Sequence, residues 1–250
     1  MKKSNIYLIT SVVFFLASLL VYNFGLKARY NNGDFKNPDY EFKTLNFEGF
    51  DTILVNASTV TNVKFVQGDF KVRVFEDRAD IVKVTQRGKS LIIDADIKSN
   101  NYEESPFTLI ISCPKINLLV SDERYLSNGK LTVDTNARLD VVIDNRIIQP
   151  AKKIVIDGFV QDSMAIIQNN GSHVRLVNNK LKTILATIGQ APGSGSFLTV
   201  DSSNVFNFAH FDMRNKSQLF ISKATIHNLD YKLAPDAKVT FSGTSAAHFK

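Results

Sequence analysis

The sequence has no tryptophan, one cysteine and no acidic residue before Asp34. Each scarcity excludes something. A single thiol, Cys113, rules out an internal disulfide and a cysteine-built zinc site. It lies in the apolar run Leu109-Ile110-Ile111-Ser112-Cys113, where it reads as a small buried hydrophobe. No cysteine stands near the N-terminus to carry a lipid, which argues against a bacterial lipoprotein. The missing N-terminal acids skew the charge. The formal net charge is +6, with 30 basic residues against 24 acidic. Lys2, Lys3, Lys27 and Arg29 flank one apolar run, and without these four the remainder is 26 against 24. No block of five like charges follows, so the footprint of a nucleic-acid binder is missing. Beyond residue 30 no amphipathic helical stretch of twelve residues occurs.

What is present begins with that apolar run. From Ser4 to Leu26 no residue is charged. At about 1.5 Å per residue these positions reach roughly 35 Å, enough for a hydrocarbon core of about 30 Å. Tyr7 and Tyr22 lie near its two ends, where amphipathic rings favour the interface. A cleavable signal would have a shorter core and a small-x-small site. The nearest candidate, Leu16-Ala17-Ser18, lies inside the apolar run, so an uncleaved signal anchor fits better. Lys2 and Lys3 place the N-terminus in the cytoplasm and the remainder outside, periplasmic or extracellular. The expected organisation is a cytoplasmic tail over 1–5, a transmembrane anchor over 6–26, a linker over 27–46 and one β domain over 47–250. The polar, breaker-rich Asn31-Asn32-Gly33-Asp34 to Asn37-Pro38-Asp39 marks the linker.

After Asp51 the apolar period is two. Ile53 and Val55, Val63 and Phe65, Val72 and Val74, Val82 (or Ile81) and Val84, and Leu91 and Ile93 alternate with polar or small neighbours. Gly68-Asp69, Arg87-Gly88-Lys89 and Asn128-Gly129-Lys130 supply turns. The second half repeats short strands between polar corners. Ser172, Ser196, Ser217 and Ala237 are such corners, 24, 21 and 20 residues apart. A coil of about 20 residues belongs to architectures that stack short strands. The expected fold is all-β, a right-handed single-stranded parallel β-helix or β-solenoid, with a β-sandwich as the alternative.

Phe50-Asp51-Thr52-Ile53-Leu54-Val55, the stretch Val63 to Val74 with its Gln67-Gly68-Asp69 turn, Ile81 to Val84, Gly88 to Ile93 and Cys113-Pro114-Lys115-Ile116 resemble the head GIN domains of bacterial auto-transporter adhesins. The resemblance spans about residues 47–250 and is sharp over 50–120. It implies an extracytoplasmic β-solenoid with an adhesin-like or scaffolding role, no enzyme activity and no defined active site.

Against this background no histidine or carboxylate pattern stands out as a site. None of His173, His210, His227 and His248 pairs with another histidine or a cysteine at metal-ligand spacing. Asp94 and Asp96 share a strand face, as Asp140 and Asp144 partly do. Two carboxylates about 5–9.5 Å apart can cleave a glycosidic bond, so a carbohydrate-active β-helix enzyme is the alternative function. The plainer reading is a solvated strand face. Gly193-Ser194-Gly195-Ser196 reads as flexible chain, not a nucleophile elbow. Asn56-Ala57-Ser58, Asn170-Gly171-Ser172 and Asn215-Lys216-Ser217 match the glycosylation sequon and read as corners. Phe206 and Phe208 share a face at period two and read as core beside His210 and Phe211; any of them left exposed would mark a binding surface. No catalytic, cofactor or metal residue is assigned. The expected partners are the membrane and an envelope protein or polysaccharide.

Overall fold

The computed structural model describes residues 3–32, 40–98, 109–143, 146–149 and 151–243. The chain divides into two units, residues 1–42 and 43–250.

The first unit is dominated by one helix, α1 (Lys3–Asn32). Its stretch Ser4–Asn31 is long and apolar enough to cross a membrane, and none of it is buried in the protein. Length and composition suit a membrane anchor and an export signal alike. The hydroxyls of Thr10 and Ser18 donate to the carbonyls of Ile6 and Phe15 at 2.9 and 2.7 Å, so they enter the helix satisfied. The helix continues through Lys27–Asn32, residues expected in the linker. Most of the breaker-rich segment, 33–39, lies outside the described residues.

The second unit is all-β. In its first half the strands are β1 (Phe42–Leu45), β2 (Thr52–Val55), β3 (Val63–Gln67), β4 (Lys71–Phe75), β5 (Val82–Arg87), β6 (Ser90–Ile97) and β7 (Leu109–Cys113). Then come β8 (Leu118–Ser121), β9 (Arg124–Ser127), β10 (Lys130–Val133), β11 (Val141–Ile143) and β12 (Arg146–Gln149). The second half holds β13 (Ile154–Asp157), β14 (Val160–Gln168), β15 (His173–Val177), β16 (Lys180–Ile188) and β17 (Phe197–Val200). It ends with β18 (Val205–Met213), β19 (Gln218–Ser222), β20 (Thr225–Leu233) and β21 (Lys238–Ser242).

Two large sheets form, and neither closes into a barrel. One runs β1-β4-β7-β3-β13-β15-β17-β19-β21 and the other β10-β9-β6-β2-β8-β14-β16-β18-β20. From β13 onward consecutive strands alternate between the sheets, and each pairs in parallel with the strand two ahead. His173, Phe197, Gln218 and Lys238 align across β15, β17, β19 and β21. Each directly follows one corner of the 24, 21 and 20 spacing, so that spacing is the sheet register.

The first half departs from a uniform parallel stack. β4 pairs antiparallel with β7, β5 with β6, β9 with β10 and β11 with β12. The turns explain two of these pairs. Asn128 and Gly129 both have positive φ, 49° and 74°, which suits a tight hairpin between β9 and β10. Gly88, at φ 57°, does the same between β5 and β6. The sheets are therefore mixed.

Alternating side chains fill one continuous core. Ile53, Val55, Val63, Phe65, Val72, Val74, Leu91 and Ile93 are all buried in it, as the period of two requires. The corners are internal too. Ser172, Ser196 and Ser217 are fully buried. Ser121 Oγ donates to Ser172 Oγ at 3.0 Å, and Ser172 Oγ to Ser196 Oγ at 3.5 Å. At another corner Asn204 Oδ1 accepts from the backbone and side-chain nitrogens of Asn179, each at 3.0 Å. Asn179 in turn accepts from the Phe159 N–H and donates to the Ile156 carbonyl. The asparagine ladder supplies partners that buried corner backbone loses where the sheet stops, whereas these serine bonds join hydroxyl to hydroxyl and Ser217 Oγ has no partner among the described residues.

Candidate functional site

The four nine-residue strands β14, β16, β18 and β20 share a local defect. Strict alternation would place every second residue outward. Instead Asp162 and Ser163 on β14, and Asn207 and Phe208 on β18, both face solvent in succession. Lys182 and Thr183 on β16, and His227 and Asn228 on β20, also fall outside the buried set. The pairing skips the column Asp162, Lys182, Asn207 and His227, then resumes at Ser163, Thr183, Phe208 and Asn228. An extra residue at the same level in four neighbouring strands bends each of them together. The result is a ridge of outward side chains, with those of neighbouring strands about 4.7–4.9 Å apart.

Phe208 is 37% exposed on this ridge, while Phe206 and Phe211 on the same strand are fully buried. Phe206 and Phe208 therefore do not share a face, as period two implied; the extra outward residue, Asn207, separates them. Leu185, 46% exposed, lies opposite His210 in the next row. Polar groups surround this apolar pair. Lys182 Nζ lies 2.7 Å from Asp162 Oδ1 across β14 and β16, and that contact raises the lysine pKa. His210 Nδ1 lies 2.7 Å from Asp230 Oδ2 across β18 and β20. Arg214 Nη2 reaches Asp212 at 2.6 Å. Asn228 Nδ2 donates to the Asn207 carbonyl at 3.2 Å.

The structure keeps Asp94 and Asp96 on one face of β6, as their spacing implied, and holds Asp140 on a different segment. Asp94 accepts from Asn56 Nδ2 at 2.7 Å. Asp140 accepts from the Ala151 N–H at 2.7 Å and from Lys153 Nζ at 3.0 Å. Burial opposes ionisation of Asp140, but these bonds and the lysine charge outweigh it and lower its pKa. Asp96 lies on the same face of β6 as Asp94, with Oδ1 buried and without a hydrogen-bond partner among the described residues. Asp144 and His248 lie outside the described residues. His173 is buried edge-on against Phe197, ring centroids 4.9 Å apart, and burial with the nearby Lys153 charge pushes its pKa down to about 4. Burial lifts the Cys113 thiol to about 12, so it stays protonated and unreactive. Among the described residues no group of three His, Cys, Asp or Glu is placed to hold a metal.

Gly193-Ser194-Gly195-Ser196 is not flexible chain. Ser194 and Ser196 are buried, and both hydroxyls donate to the Asn170 carbonyl, at 2.6 and 2.8 Å. Gly195 bridges to Asn136. A side chain at Gly171 would strike the Asn136 backbone. Gly-Ser composition here serves close chain crossing, not mobility.

Sequence reasoning missed Glu123. It is fully buried at the corner after β8, with Oε2 accepting from Ser58 Oγ at 3.1 Å and from the Thr59 N–H at 2.5 Å. Its Oε1 has no hydrogen-bond partner among the described residues. Burial raises its pKa to about 7 against the lowering effect of the Thr59 and Ser58 bonds, and the Asp134 charge adds to the rise. Nothing in the local pattern marks an acid for burial, because the pocket is assembled from β2–β3 and β8–β9 connections distant in sequence.

No protein family and no curated protein matches the sequence. The chain is similar in structure to a "putative adhesin" from Bacteroides fragilis, at 13% identity and TM-score 0.38, covering 80% of this chain and 95% of that one. It is similar to a "putative adhesin" from Parabacteroides merdae at 11% identity and TM-score 0.32, covering 81% and 95%. A "putative lipid binding protein" from Parabacteroides distasonis gives 12% identity and TM-score 0.26, covering 81% and 94%. Overlaps this loose identify neither a family nor a ligand.

Proposed function

We propose that this chain is anchored in a bacterial cell envelope by its N-terminal helix and acts as a non-enzymatic, adhesin-like or scaffolding module. Its β domain, a right-handed β-solenoid in its stacked half, lies outside the cytoplasm and binds an envelope protein or polysaccharide. The N-terminus is cytoplasmic, consistent with Lys2 and Lys3 before an uncharged run. The resemblance of residues 50–120 to head GIN domains points the same way. The observation that carries the binding role is the in-register ridge of β14, β16, β18 and β20. It exposes Phe208 and Leu185 among polar side chains on a backbone fixed by parallel pairing. Such a surface is preorganised and loses little entropy on binding. The enzyme alternative requires acids and a cation in one cleft, whereas Asp94 and Asp140 are tied to different partners on different segments.

Retention of solubilised envelope protein and polysaccharide by the full chain in lipid nanodiscs tests this reading, because the helix alone would hold the chain on intact envelopes. Phe208→Glu with Asn207→Arg should reduce retention at least tenfold, leaving the melting temperature nearly unchanged. Unchanged retention would remove the ridge from the function, and polysaccharide breakdown at enzymatic rates would replace the reading with the enzyme.

A further inference from the structure

We propose that the ridge takes a neutral, hydroxyl-rich polysaccharide lying along the stacking direction, across β14, β16, β18 and β20. The inference rests on the ridge being the working surface and goes on to name its ligand. Charge argues first. Of the acids of the ridge and its flank, Asp162 pairs with Lys182 and Asp212 with Arg214, while Asp230 is hydrogen-bonded to His210. Exposed Lys180 and Lys232 stand on the same strands against Asp230, so cations and anions are close to balanced and the surface offers little net field to a polyanion or an acidic protein. It suits a ligand that is polar but uncharged.

The side-chain chemistry argues second. A sugar ring has an apolar C–H face and a rim of hydroxyls. Phe208 and Leu185 offer a partly exposed apolar platform, and aromatic rings are well suited to such contacts. Around it stand groups that both donate and accept: the amides of Asn207 and Asn228 and the hydroxyls of Ser163 and Thr183. Asn228 Nδ2 already donates to the Asn207 carbonyl, which holds that amide in place.

Repetition argues third. Ser163, Thr183, Phe208 and Asn228 fall on four successive strands in one register, and Asp162, Lys182, Asn207 and His227 in the column beside them. The strand spacing of about 4.7–4.9 Å is close to the length of one sugar residue in an extended glycan. Consecutive sugars can therefore meet consecutive strands. A peptide laid across the strands has no such match, since its residues repeat at about 3.3 Å.

The test uses the full chain in lipid nanodiscs, with a soluble neutral glucan and a galactomannan as probes and alginate as the charged control. Affinity electrophoresis at low salt and at 0.5 M salt measures retention. The expected result is retention by a neutral glycan that is unchanged by salt. Phe208→Ala should lower it tenfold or more, and Asn207→Ala or Asn228→Ala severalfold. Phe208→Ser repeats the measurement should the alanine variant fold poorly. Binding to alginate alone, lost in high salt, overturns the proposal. So does neutral-glycan binding that ignores Phe208. A parallel experiment places a photo-crosslinker on His227→Cys in isolated envelopes. Capture of an envelope protein without glycan retention overturns the glycan and keeps the ridge as a binding face. Neither capture nor retention overturns both.

Discussion

Two buried titratable side chains, Glu123 and His173, pull stability in opposite directions with pH. Burial raises Glu123 from an ordinary 4.5 to about 7. The folded chain then holds a proton that the unfolded chain releases, so stability falls as pH rises from about 4.5 through 7. Burial lowers His173 from 6.5 to about 4. There the unfolded chain takes the proton first, so stability falls as pH drops from 6.5 towards 4. Between pH 4.5 and 6.5 the two slopes cancel. Glu123→Gln removes one of them. Melts of the full chain in detergent should then show the variant losing on the order of 2 kcal/mol between pH 6.5 and 4.5 that the wild type keeps. Parallel curves for the two proteins would contradict these assignments. Neither residue was legible as such in the sequence. A lone histidine or glutamate reveals its burial only once distant segments meet, as Ser58, Thr59 and Asp134 do around Glu123.

At the scale of elements, the corners were the most legible part. Ser172, Ser196, Ser217 and Ala237 are spaced as the parallel strands register, because each corner fixes the start of the next strand. The spacing lengthens to 24 where Gly189–Ser196 reaches out to cross residues 135 and 136. Period two located most core positions and failed at one column, the shared bulge, where Phe208 turns outward. A bulge adds one residue without any composition signal, so Phe206 and Phe208 looked equivalent. The first half hid its order for another reason: β7, from beyond residue 108, inserts between β3 and β4. The asparagine ladder predicts a clear contrast. Asn179→Ala strands the Phe159 N–H, the Ile156 carbonyl and part of Asn204. It should cost about 2–4 kcal/mol in chemical denaturation. Asn207→Ala, on the exposed ridge, should stay within about 0.5 kcal/mol. Equal costs would mean that the ladder does not hold the corner.

For the molecule as a whole, an apolar helix precedes a mixed-sheet domain with a parallel stacked half, and the proposed function requires that domain on the far side of a membrane. Topology is therefore the central claim. Asn207 is exposed on the ridge, and the native Cys113 is buried with its thiol at about 12. The Asn207→Cys variant thus carries one reactive thiol over a silent background. The measurement is labelling with a membrane-impermeant maleimide, in cells with a permeable outer envelope, before and after lysis of the cytoplasmic membrane. The account predicts full labelling before lysis on a species whose intact mass retains Ser4–Asn31, and no labelling of the wild type. Labelling that appears only after lysis would put the domain in the cytoplasm and contradict it.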